Sequence, residues 1–292
     1  MKHDSFRSLY YALIQHSGEG RYEELLKRSL EELHALMSTL EPLKRLNSSR
    51  PGTVDQEKLQ ELFALSVINE HLLCASDFSL SEYQQFFRAL GFVPFDPPAQ
   101  FNPALCEVMS VDNSTAEQSI ALGHCHWPGL KFGELIFSRC AVDISCPQSL
   151  QIINGFADCS TLYFTNHRNH RPVHDLSHGW GNNSRWRTAF HRTYEIGNLT
   201  LYNVDGSIDL ADPEAAETLK DLELQRLALV EAQELLIHRC QVGASRQMHD
   251  YFPYDWTMAI AGNPQWPLRP ENIMSIEQAL ADSLVNEQPL AE

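Results

Sequence analysis

The apolar positions change their rhythm twice along the chain, and each change predicts a change of structure. From Ser5 to about Leu46 they recur at helical spacing, as in Leu25, Leu26, Leu30, Leu33, Leu36, Met37 and Leu40, with Lys, Arg and Glu between them. The spacing predicts amphipathic helix, broken at Ser17-Gly18-Glu19-Gly20 and ended or kinked at Pro42, whose ring removes a backbone donor. Asn47-Ser-Ser-Arg-Pro-Gly52 reads as a loop, and a second helix is expected from about Val54 to Cys74. A third starts at Ser79 or Ser81, either of which can cap the first turn. Its apolar face includes Tyr83, Phe86, Phe87 and Leu90, and Gly91 stands where a glycine would stop it.

Past Gly91 the helical period is lost. Pro94, Pro97, Pro98 and Pro103 forbid helix, and short alternating or β-branched runs at Glu107–Val111, Ser119–Cys125 and Glu134–Ile144 predict strands. Joined by Asn-Ser and Trp-Pro-Gly turns, they would form a sheet too small to enclose an active-site cleft but suited to presenting a face to a partner; the alternative is a sheet packed inside a larger domain. Beyond Cys146 the pattern predicts a strand over Trp186–Ile196 and a hairpin over Leu199–Leu210 around Asp205-Gly206. Asp212-Pro213-Glu214 starts a helix expected to run to about His238, and one short helix is expected from Ser275 to Val285. The fold class is therefore α+β, organised as a helical region (1–100), a small β unit (101–146) and a C-terminal α+β part (147–292). An echo between Glu134–Val142 and Glu234–Val242, identical at five of nine positions, does not extend into its flanks and reads as chance.

Composition narrows the function. With 43% apolar residues in 292, the chain can bury a sizeable core. It has no run of about 18 apolar residues and no secretory signal at its start, so a cytoplasmic protein without a membrane partner is expected. The seven cysteines form no C-x-x-C pair and read as reduced, buried thiols. A formal charge of −16 repels phosphate backbones, which argues against nucleic acid as a partner, the arginines between Arg168 and Arg192 being scattered through irregular sequence.

The densest polar cluster runs from His167 to Arg187. His170, His174, Asp175 and His178 could supply imidazole and carboxylate ligands to zinc, although Pro172 and Gly179 prevent the helix that would stack them and no H-e-x-x-H pattern is present. Acid-base chemistry at His174 or His178, with Asp175, Ser177 and Arg185 alongside, is a second use of the same segment, but no nucleophile motif accompanies it. The indoles of Trp180 and Trp186 read as a locked turn or a recognition loop, and Asp250–Trp256 as a packed loop. In His124-Cys125-His126-Trp127, strand alternation puts Cys125 on the opposite face from both histidines, which argues against a joint metal site with Cys106, Cys140 or Cys146. No Gly-rich phosphate loop is present.

The stretch Arg88–Val108, a helix ending in Gly91, a hydrophobic-Pro step and then Phe101-Asn102-Pro103 with Glu107, resembles the entry into the β-domain of the GrpE family, with Cys106 at the family's histidine position and Val108 at its alanine position. Gly129, Leu130, Phe132, Val142 and Ile144 are similar to its closing strands; the family carries arginines where this chain has Leu135 and Ser138, and Arg139 lies one place later. The resemblance covers about residues 80–146 and does not include the family's long pairing helix, so dimerisation does not follow. It implies a nucleotide exchange factor that binds the nucleotide-binding domain of a DnaK-type chaperone and promotes ADP release or recruits it, with Phe101, Asn102, Pro103, Glu107, Gly129 and Arg139 at the contact. The C-terminal part would engage a second protein. The alternatives are a metal-dependent enzyme with its site at 167–191, or a GrpE-like fold serving an unrelated partner.

Overall fold

In the computed structural model, which describes residues 5–16, 20–75, 77–112, 119–147, 185–215, 229–238, 255–262 and 268–286, the N-terminal helical pattern becomes α1 (Phe6–Gln15) and α2 (Lys27–Leu40). The α2 helix gives way at Pro42 to a tight 3-10 turn, Glu41–Lys44. Next come α3 (Gln56–Cys74), capped by the Asp55 carboxylate, and α4 (Leu80–Ala89). Ser79 starts α4 with a reciprocal capping box: its hydroxyl accepts the Glu82 N–H while the Glu82 carboxylate accepts the Ser79 N–H. Gly91, at φ +86°, turns the chain out of the helix, and the Phe92 N–H returns to the Phe87 carbonyl. The α3 helix is apolar nearly all round, with Leu62, Phe63, Leu65, Val67 and Ile68 all buried, because α1 and α2 both pack on it.

The strands are β1 (Val93–Phe95), β2 (Cys106–Asp112), β3 (Ala121–Trp127), β4 (Gly129–Phe132), β5 (Leu135–Ser138), β6 (Cys140–Ser145), β7 (Thr193–Ile196), β8 (Leu199–Tyr202), β9 (Ile208–Asp209), β10 (Trp256–Ala261) and β11 (Ile273–Met274). They form two sheets. The larger runs β1-β4-β5-β7-β8-β10-β11 with every pair on this path antiparallel, and β9 joins β10 in parallel. The smaller is β2-β6-β3, with β6 parallel to β2 and antiparallel to β3. Two further helices, α5 (Leu229–His238) and α6 (Ile276–Asn286), complete the described α+β architecture.

Strand alternation distributes the apolar side chains between two cores. Leu135, Phe137, Leu201 and Ala259 join the helices in the first, which also takes Leu130, Phe132 and Tyr194. Their strand neighbours Ile136, Tyr202, Met258 and Ile260 face the second, formed with β2, β6 and Ala232, Leu236 and Ile237 of α5. The large sheet is thus a middle layer covered on both faces, and β5 is buried at every position. Fully covering one such side chain contributes about 1.5–3 kcal/mol.

One buried charge ties the helical layer to this sheet. Arg192, with no exposed surface, donates from Nε and Nη2 to the two Asp205 carboxylate oxygens at 2.7 and 2.6 Å. Its Nη1 donates to the Ser49 carbonyl and hydroxyl at 2.7 and 2.9 Å and to the Tyr194 hydroxyl at 3.0 Å, which in turn donates to the Leu43 carbonyl at 2.8 Å. Burial opposes the guanidinium charge, but the Asp205 hydrogen bonds outweigh it and push the Arg192 pKa up.

Three strand expectations are corrected here. The run Glu134–Ile144 is two strands, split at Arg139 and delivered to different sheets. Trp186 lies in a 3-10 turn, Arg185–Arg187, and only Thr193–Ile196 is strand. The hairpin turns at Gly197-Asn198, between β7 and β8; β8 and β9 flank the Asp205-Gly206 turn without pairing, because both are taken by β10. Asp212 accepts the Glu214 N–H as an N-cap would, and the helix is described again only from Leu229. Hydrogen bonding crosses the boundaries drawn at 100 and 146: β1 pairs with β4, and β5 with β7. Strands apolar on both faces need cover on both, so β4 and β5 leave the other strands of the 101–146 segment for the middle layer. The echoed segments differ outright, since Glu134–Val142 contributes strands and 234–238 is helix.

Candidate functional site

Among the described residues the small sheet buries one face in the second core, and its other face is buried at Glu107, Ala141 and Trp127 and opens only toward Ser110 and Asp143. Val108, Val142, Ile144 and Cys140 enter the second core, with Leu122 and Cys125 packed against it. Alternation would then place the intervening residues outside, and three irregularities arrange them, one of them at His126, an extra residue between the pairs Cys125–Val142 and Trp127–Ala141. Met109 is an extra residue in β2, so that Val108 pairs with Val142 but Ser110 with Asp143. In β3, Gly123 and His124 together oppose the single residue Asp143, between the pairs Leu122–Ile144 and Cys125–Val142. The bulges gather Ser110, Asp143, His124 and His126 from three strands onto one patch.

Asp143 lies at its centre. Its Oδ1 accepts the Ser110 hydroxyl at 2.6 Å and lies 3.0 Å from His126 Nε2, which donates to it in the Nε2–H tautomer. The His124 ring packs edge-on against His126, centroids 4.7 Å apart. Asp143 and His126 are each about one third exposed, and His124 and Ser110 are fully at the surface. Burial pushes the Asp143 carboxyl up, yet the Ser110 and His126 hydrogen bonds and the two imidazoles outweigh it, and its pKa falls below the ordinary carboxylate value. Serine and histidine meet the same carboxylate oxygen rather than each other, so the patch lacks the serine-histidine contact of an activated nucleophile. It can hold a charge and accept hydrogen bonds.

Beneath the patch the thiols are inert. Burial pushes the Cys140 thiol up strongly, and its sulfur accepts the Gly129 N–H at 3.1 Å while donating to the Phe95 carbonyl. Burial also raises Cys125. Among the described residues no group of three or more His, Cys, Asp or Glu is placed to hold a metal ion.

The six contact residues expected from the resemblance gather at the junction of β2, β4 and β6, but all except Asn102 are buried. Asn102 Oδ1 accepts the Ala104 N–H at 2.9 Å, closing a turn between Phe101 and Pro103 and the start of β2. Glu107, 1% exposed, accepts the Trp127 indole N–H at 3.2 Å. Gly129 is a close-approach position: a Cβ there would come within 2.2 Å of the Phe95 ring. Arg139 donates from Nε to the Ala104 carbonyl at 3.0 Å and holds the crossing between sheets. These residues lie at the Cys106–Cys140 end of the small sheet, whereas Ser110 and Asp143, toward its other end, were not singled out from sequence. The available signal was Asp143 itself, a charge interrupting the apolar run Cys140-Ala-Val-Asp-Ile144.

His170, His174, Asp175 and His178 lie outside the described residues. Trp186 is a packing residue, 9% exposed in the first core, and its indole donates to the Tyr11 hydroxyl at 3.0 Å. It also walls a cleft of about 580 Å³ together with Arg7, Glu57, Lys58 and Glu61. Arg7 sits 5.7 Å above the Trp186 ring and Glu61 accepts the Phe6 N–H, so the cleft mixes charges of both signs and selects no ligand class. No helix among the described residues is long and apolar enough to cross a membrane. Comparison with protein-family models, curated proteins and solved structures finds no match to the chain.

Proposed function

We propose that the chain is a non-catalytic protein-binding module of the cytosol that engages the nucleotide-binding domain of a DnaK-type chaperone, promoting ADP release or recruiting the chaperone. The observation that carries the reading is the partly open, polar end of the small sheet's outer face. The segment with the GrpE resemblance buries one face in the second core and leaves part of the other, with Ser110, His124, His126 and Asp143, open to a partner. Exchange would follow from tighter binding to the chaperone's open, nucleotide-free form than to its closed one. Because Arg139 is 8% exposed and committed to the Ala104 carbonyl, the contact is assigned to the polar patch and not to the arginine.

The test is the release rate of fluorescent ADP from a DnaK-type chaperone, measured with the wild-type chain and with a His124→Ala/His126→Ala double variant. Acceleration that weakens in the variant is expected; no acceleration together with no complex on a sizing column overturns the reading. A second reading, a GrpE-like segment serving an unrelated partner, draws on Leu135 and Ser138: both are buried where the family carries arginines. It predicts a complex by pull-down that contains no DnaK-type chaperone. The metal-dependent enzyme reading is tested separately, by metal analysis of the purified protein and of its His174→Ala and His178→Ala variants.

A further inference from the structure

We propose that Asp143 receives a basic side chain of the partner, and that protonation of His126 and His124 drives that side chain off. The inference rests on the binding reading above and adds the chemistry of the contact. Asp143 Oδ1 is occupied by Ser110 and His126, while Oδ2 has no hydrogen bond from the described residues and a carboxylate oxygen can accept two. No lysine or arginine of the described residues pairs with it. The charged and titratable neighbours are His126 and His124 on β3 and, two positions along β2 from Ser110, Asp112, which pairs in register with Ser145 of β6. Asp96 lies further off, beside Cys125.

With both imidazoles neutral the trio Asp143, His126 and His124 carries one negative charge, and with both protonated it carries one positive charge. The sign of the site therefore inverts when both imidazoles take up a proton. A chain of formal charge −16 attracts basic surfaces at long range, and this patch supplies a local contact that pH can cancel.

The probe is a blocked peptide, acetyl-Arg-Gly-Arg-amide, titrated into the isotope-labelled full chain while the His126 and His124 ring resonances are followed by NMR. Saturable shifts at pH 8, weakened about fivefold or more at pH 5.5, are expected from an ion pair of exposed strength. Asp143→Asn should lose the response at both pH values, and His124→Ala/His126→Ala, followed through backbone amides of β3, should bind without pH dependence. Absence of binding at pH 8, equal affinity at both pH values, or an unchanged response in Asp143→Asn overturns the inference. In the nucleotide-release assay the two ideas separate. No acceleration by the wild-type chain defeats the chaperone reading, whereas acceleration that persists undiminished in Asp143→Asn defeats only the basic contact.

Discussion

The two sheets share the stretch from Val93 to Ser145, yet they handle polar side chains in opposite ways. The middle layer is covered on both faces, and the charge it buries, Arg192, is surrounded by Asp205, Ser49 and Tyr194. The small sheet opens at one end of its outer face, where its polar residues form a partly solvated cluster around Asp143 in which a carboxylate oxygen is left over. Cover decides the role. A polar group under two layers must be satisfied internally and becomes a fastening, whereas one under a single layer can keep capacity for a partner.

Substitutions can break this comparison or sharpen it. The largest effect is expected for Phe132→Ala in the middle layer, where a ring with no exposed surface leaves a cavity; a loss of about 4 kcal/mol should appear as a lower denaturant midpoint. The half-buried Leu122 of the small sheet should lose about 1 kcal/mol as alanine, and equal losses at the two sites would undo the distinction. Asp205→Ala strands the Arg192 guanidinium and should cost about 3 kcal/mol by the same measurement. Tyr83→Phe removes the hydroxyl that donates to Asn69 Oδ1 at 2.7 Å in the helical core, with an expected loss of about 1–2 kcal/mol in thermal or chemical unfolding.

The smallest effect belongs to Asp143→Asn, under about 0.5 kcal/mol at neutral pH. Its sign with pH is definite. The folded carboxyl titrates below the unfolded value of about 3.9, so its contribution is present above that pH and lost as pH falls through the folded value. Stability curves of wild type and variant should therefore converge on acidification below the unfolded value, and a gap that widens there would contradict the assigned hydrogen bonds.

The helices were the legible part of the fold, because local signals sufficed: the Ser79–Glu82 capping box, the stop at Gly91, the break at Pro42 and the short helix after Ser275 all depend on near neighbours. The sheets were less legible because strand signals report apolarity and not destination. Glu134–Ile144 reads as one run since β5 is buried on both faces, and nothing periodic marks the change of sheet at Arg139. Asp205-Gly206 carries a strong hairpin signal, but the Asp205 carboxylate is engaged by Arg192 and the flanking strands by β10. At the candidate site, alternation correctly separated Cys125 from its neighbouring histidines. The irregularities at Met109, at Gly123–His124 and at His126 each shift the register and leave no mark in composition, so the meeting of Ser110 and Asp143 with those histidines was hidden.

The passage of the chain through Arg139 also bears on the order of assembly. The β4–β5 hairpin, part of the middle layer, is threaded between β3 and β6 of the small sheet, so β6 reaches its partners only once that hairpin has doubled back. All three strands of the small sheet come from one local stretch, whereas the middle layer must recruit β10 and β11 from far along the chain. Short-range pairings close sooner than long-range ones. Pulse-labelled hydrogen exchange during refolding should accordingly protect the amides of Val142 and Ile144 before those of Met258 and Ile260, with the polar patch assembled while the middle layer is still incomplete.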